Sequence, residues 1–133
     1  MKKKDPIEEA RRYVANAEEV IKKAMYDPEM NRYSDGKYVK MAGNTLWNGC
    51  LIALDTLFGI SKRKGHPDIR KYKEEAAKRD KKLLAAIADG YNTLHLSMGY
   101  DGILNKKICD AGFEAANAII DHCARLMPAT ACA

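Results

Sequence analysis

Residues 35–55 read DGKYVKMAGNTLWNGCLIALD. The stretch opens with a capping aspartate and carries apolar residues at helical spacing, so it reads as a helix. Yet Gly43, Asn44, Asn48 and Gly49 lie in its interior around Trp47, the chain's one tryptophan. Such residues weaken isolated helices, so each needs a reason. Ala42, Thr45, Gly49 and Ala53 fall close to one face and are all small, which suits close approach by a neighbouring helix. Gly112, Ala115, Ala116 and Ala118 offer a matching small stripe later in the chain. Lys37, Asn44, Asn48 and Asp55 share another side. That side reads as the solvated strip of a mostly buried helix, or as a polar groove facing another helix or a partner. Tyr38, Met41, Thr45, Trp47, Ile52 and Leu57 cannot share one face. The helix is therefore apolar over more than half its circumference, as a central helix would be.

The flanking segments repeat the helical signal. Asp5-Pro6 starts the first, with Ile7, Ala10, Val14, Ala17, Ile21 and Ala24 as its stripe and Asp27-Pro28 as its stop. Pro67-Asp68 starts the third. Its stripe runs through Ile69, Tyr72, Ala76, Leu83, Ile87, Tyr91, Leu94 and Met98. Asp89-Gly90 could break it, but the stripe resumes in phase, so a continuous or bent helix is expected. The fourth begins near Ile103 and stops before Pro128. The expected fold is all-α: a single domain over 1–133, an antiparallel up-down-up-down four-helix bundle with helices near 6–25, 36–58, 68–98 and 103–126, and no sheet. Its core should draw on Val14, Ile21, Leu46, Ile52, Leu83, Ile87, Leu94, Ile108 and Ile119.

Composition sets outer bounds. At 133 residues, with 47% hydrophobic and 31% charged, the chain can bury a core without staples. No apolar run approaches the ~20 residues that span a bilayer. The start MKKKDPIEEARR has no apolar h-region, so a cytoplasmic location is expected and no membrane association. Cys50, Cys109, Cys123 and Cys132 form no C-x-x-C and read as buried or idle thiols. His66, His95 and His122 form no H-x-x-x-H, and no Glu-x-x-His pair occurs, so no metal, cofactor or catalytic residue is assigned. Phosphate-loop, nucleophile-elbow and dinucleotide motifs are absent.

The positive charge is local. Residues 61–82 hold ten Lys or Arg against four Asp or Glu, while the whole chain carries +5. Lys62, Arg63, Lys64, Arg70 and Lys71 are the candidate nucleic-acid-binding residues, because phosphates would meet a basic loop and a helix start. Glu74 and Glu75 can pair with many of these charges along the helix, which makes a solvated charged face the plainer reading.

The segments ARRYVANAEEVIKKA and YSDGKYVKMAGNTLWNGCLIALDTLF resemble the first two helices of HEPN-like four-helix bundles, especially a small bacterial family within that group. The resemblance implies a four-helix fold and frequent dimerisation. It also implies ribonuclease activity or partnership with a nucleotidyltransferase. The ribonuclease branch carries an Arg with a His four to six residues after it. Here only two residues separate Arg63 from His66, and Arg70, Arg79 and Arg125 have no His in range. Nuclease activity is therefore not carried over.

The function expected is a non-catalytic helical interaction protein that self-associates, most simply as a homodimer. Tyr38, Trp47, Leu51, Phe58 and Phe113 are its candidate interface residues, because they exceed what one bundle axis can hold. The alternative is a HEPN-type RNA-binding protein or ribonuclease.

Overall fold

A computed structural model describes residues 5–61 and 67–128. They are mostly helical. Helix α1 spans Pro6–Lys22, where the Asp5 carboxylate accepts from the Ile7 N–H at 2.9 Å and Pro6 holds the first position. Ile7, Ala10, Val14, Ala17 and Ile21 form its buried stripe. The helix ends before residue 25 because Met25 turns left-handed, at φ 57°.

The loop after α1 corrects the expectation of no sheet. Strands β1 (Tyr26–Asp27) and β2 (Arg32–Tyr33) pair antiparallel, with Tyr26 opposite Tyr33. Asn31 turns the chain back at φ 50°, a conformation that asparagine tolerates better than most residues. The hairpin is tied to the far end of the chain. The Tyr33 N–H donates to the Leu104 carbonyl at 2.8 Å, and the Lys106 N–H to Asn31 at 3.2 Å.

Helix α2 spans Gly36–Phe58, as expected, with Asp35 as N-cap and Gly59 closing it at φ 68°. The expected third helix is instead three pieces. Helix α3 covers Ile69–Arg79 and helix α4 covers Lys81–Gly90. Asp80 between them is extended, at φ −164° and ψ 119°. Its carboxylate accepts from the Lys82 and Leu83 N–H groups at 2.8 and 3.1 Å, so one residue ends one helix and caps the next. Beyond Gly90 the chain stays helical but widens into a π-helical segment, Tyr91–Met98. The Gly99 N–H reaches back five residues to the Leu94 carbonyl at 2.8 Å. Helix α5 covers Lys106–Leu126, with Asn105 as its N-cap, so it begins three residues after Ile103.

Helix α2 is central: it packs against α1, α5 and the π segment. Ala42, Leu46, Cys50, Ala53 and Leu54 are fully buried there. Val14, Ile21, Leu46, Leu83, Ile87, Leu94 and Ile119 are core residues as expected, whereas Ile52 and Ile108 are only half-buried. Among the described residues, no helix is long and apolar enough to cross a membrane.

The glycines explain how α2 can touch so much. A Cβ on Gly49 would lie 2.9 Å from Tyr13 Cβ and 3.1 Å from the Ala10 carbonyl oxygen, so this glycine admits α1. A Cβ on Gly43 would lie 2.7 Å from the Gly99 nitrogen and 2.9 Å from the Leu94 oxygen. Those atoms are the two ends of the five-residue hydrogen bond, so Gly43 seats the π segment. Gly112 meets the same segment, at Met98 and Leu94, and not the small stripe of α2.

Candidate binding groove

Gly43 and Asn44 set the site. Because the backbone of the π segment comes down on Gly43, the side chains at Tyr91 and His95 are delivered beside α2. The Asn44 amide donates to the Gly99 carbonyl at 3.4 Å, at the end of that segment. Tyr91 and His95 stack, with ring centroids 5.2 Å apart and planes 28° apart. Trp47 meets Tyr91 edge-on at 5.9 Å and lies tilted to His95 at 6.3 Å. Edge-on and offset contacts suit the quadrupoles of such rings.

These three rings form one wall of an open groove of about 530 Å³. Asn44, Asn48 and Leu51 of α2 continue the wall. Pro67, Asp68, Ile69 and Tyr72, at the start of α3, form the other. Trp47 is 7% exposed, but His95 and Asn48 are open to solvent. Asn48 makes no hydrogen bond among the described residues.

Two anchors fix the second wall. Tyr72 is buried, and its hydroxyl donates to Asp55 Oδ1 at 2.5 Å; Asp55 is itself buried. Burial, and then the Asp55 hydrogen bond, push the Tyr72 hydroxyl well above its ordinary pKa. Asp68 caps α3 by accepting from the Arg70 N–H at 2.8 Å. That bond, with help from the Arg70 side chain, holds its carboxyl below the usual range. The tyrosine and the aspartate thus serve the architecture, and the groove presents chiefly aromatic faces and neutral amides. Among the described residues, no group of three or more His, Cys, Asp or Glu could hold a metal ion.

The family model for a domain of unknown function, DUF5618, matches residues 5–125. The chain belongs to the DUF5618 family. A solved structure of a protein of unknown function from Dyadobacter fermentans is similar to this DUF5618 chain. The two share 39% sequence identity over 90% of this chain and 93% of that one, with a TM-score of 0.81. No curated protein matches.

The residues singled out in the DUF5618 sequence are distributed unevenly. Trp47 and Leu51 are buried by neighbours in their own chain and line the groove. Tyr38 is half-buried, with Lys37 Nζ 5.2 Å from its ring centre. Phe58 packs against Tyr72 and under the Arg79 guanidinium. Phe113 borders a shallow depression with Ile21 and Tyr33. Of these five, Trp47 and Leu51 are buried, and Tyr38, Phe58 and Phe113 are half-buried. Among the described residues the large exposed apolar side chains are Met25, Tyr26, Met30, Met41, Leu96 and Tyr100, and of these only Met41 belongs to the apolar pattern of α2.

Of the basic candidates, Lys62, Arg63 and Lys64 lie outside the described residues, as does His66. Arg70 pairs with Asp68 at 3.3 Å and Lys71 with Glu75 at 3.7 Å. Glu75 also holds Lys78 and Arg79, at 3.0 and 3.1 Å. Those two hydrogen bonds lower its carboxyl to about 2. Sequence reasoning kept Asn44 and Asn48 as a possible groove but did not bring Tyr91 and His95 to it. No local sequence signal marks the π segment that places them.

Proposed function

We propose that this DUF5618 protein is a non-catalytic interaction protein: an up-down helical bundle that works as a homodimer in the cytoplasm. The observation that carries the reading is the apolar surface at the hairpin end. Met25 is 70% exposed, Met30 58% and Tyr100 76%, with Tyr26 beside them in sequence. Hydrogen bonds from Tyr33 to Leu104 and from Lys106 to Asn31 bring the hairpin and the turn before α5 to the same end. Large exposed apolar side chains gathered in one region favour a partner surface. A symmetric second copy is the commonest partner, and the resemblance to HEPN-like bundles leans the same way. The interface moves from the α2 face to this end, because Trp47 and Leu51 are already covered.

Light scattering on the purified protein tests the proposal. Twice the chain mass is expected for the wild type, and a single chain mass for Met25→Lys with Met30→Lys. A wild type that stays monomeric at high protein concentration would overturn it.

A further inference from the structure

None of Met25, Tyr26, Met30 or Tyr100 lines the groove, so the groove is left over when self-association is accounted for. Its chemistry is specific. The Tyr91 and His95 rings stack on each other, so the flat aromatic ledge left open to a ligand is the outer face of His95, the exposed member. Asn48 presents a carboxamide beside it, with a donor and an acceptor side by side and neither engaged within the described chain. The volume of about 530 Å³ falls within the roughly 300–1,000 Å³ of small-molecule sites. A ligand that fits must be flat, to use the ledge. It must also carry a donor next to an acceptor on its edge, to use the amide. A purely apolar ligand would cover Asn48 without pairing it, which is costly. A metal ion would find no cluster of ligands there.

We propose that the groove between α2, the start of α3 and the π segment binds an unpaired adenine-type base, stacked on His95, whose other face rests on Tyr91, and read along its edge by Asn48. Stacking on aromatic side chains is how unpaired bases are generally held. An asparagine amide matches the amino group and ring nitrogen of adenine in a two-bond pair. Arg70 stands on the first turn of α3, its side chain 83% exposed, at the rim where a sugar or phosphate would emerge. The base can come from a free nucleoside or from a single strand. The recognition chemistry is the same, and only the contribution of the rim differs.

The test is titration of the intact protein with adenosine and, separately, with single-stranded oligoadenylate, read by Trp47 fluorescence. Trp47 is the one tryptophan and touches both rings of the stack. Both probes should change its emission saturably. His95→Ala and Asn48→Ala replace exposed side chains, so the fold should persist by circular dichroism. Each should weaken both probes by about tenfold, the scale of one lost stacking or edge contact. Tighter, salt-sensitive binding of the oligonucleotide would support the site with a strand as its source. Equal affinity would support it with a free nucleoside. No response to either probe at millimolar nucleoside would overturn the proposal. So would binding that is unchanged in both variants.

Discussion

Gly43 lies against the backbone of Gly99 so closely that a Cβ on Gly43 would sit 2.7 Å from the Gly99 nitrogen and 2.6 Å from Met98 Cβ. The Gly99 N–H is the donor that closes the five-residue turn to Leu94. The glycine therefore serves the helix opposite it and not its own.

Gly43→Ala should accordingly destabilise the protein. Alanine improves helix propensity by about 1 kcal/mol. Overpacking against backbone, which cannot rotate away, costs about 1–3 kcal/mol. A net loss is expected in urea denaturation, together with a shifted His95 ring resonance as the π segment moves. A variant more stable than the wild type by about 1 kcal/mol, the full propensity gain, would show that the close approach carries no cost.

Much of this arrangement was legible in the sequence, and the illegible parts have a common cause. Asp5-Pro6, Asp35 and Gly59 announce helix ends through chemistry that is local, and the structure uses all three. The break at Asp80 is hidden because Ala76 and Leu83, seven residues apart, remain on one buried stripe across it. The π segment is hidden for the same reason. Leu94 and Met98 are buried four residues apart, as they would be in an α-helix, so apolar spacing does not report the change in hydrogen bonding. The groove depends on that change, which is why its amides were visible in the sequence and its stacked rings were not.

Tyr72→Phe should cost about 1–3 kcal/mol at neutral pH, because it takes a donor from the buried Asp55 carboxylate. The pH dependence follows from the direction of the Tyr72 shift. Its folded pKa is raised above the ordinary value of 10.0, so the unfolded chain releases the proton first as pH rises. The stabilisation is fully present below pH 10.0 and is lost as the pH climbs toward the folded pKa. Stability curves of the two proteins should therefore converge in strong alkali. Parallel curves from neutral pH to strong alkali would remove the hydroxyl from the account.

Asp80→Asn isolates an ion pair while keeping a capping side chain. Asp80 accepts from Arg125 Nη2 at 2.8 Å, and the same nitrogen lies 3.0 Å from His122 Nδ1, so α4 and α5 are tied at this point. The Arg125 hydrogen bond, followed by the Leu83 N–H, lowers the Asp80 carboxyl to about 2. A depressed carboxylate stabilises above its unfolded pKa and loses that contribution as pH falls through the folded one. The variant should be less stable than the wild type at neutral pH, and the gap should close between about pH 4 and pH 2. Thermal unfolding across that range measures it, and a gap that persists below pH 2 would assign the loss to capping alone.

The thiols give a prediction about access. Cys50, Cys109 and Cys123 are all free and buried. Burial raises each: Cys109 to about 11, Cys123 to about 12, and Cys50 further still. Cys50 Sγ also lies 3.8 Å from the Ala116 carbonyl, inside the contact between α2 and α5. Because the thiolate is the reacting species, none of the three should be modified by a thiol reagent at pH 8 while the chain is folded. All three should react once it is unfolded in denaturant. Their rate of labelling at intermediate denaturant should follow global unfolding, since the helices that cover them share one core. Mass spectrometry of the labelled peptides tests this residue by residue. Labelling of Cys50 faster than global unfolding would mean that α2 and α5 part locally, and that the central helix is held less firmly than its buried face implies.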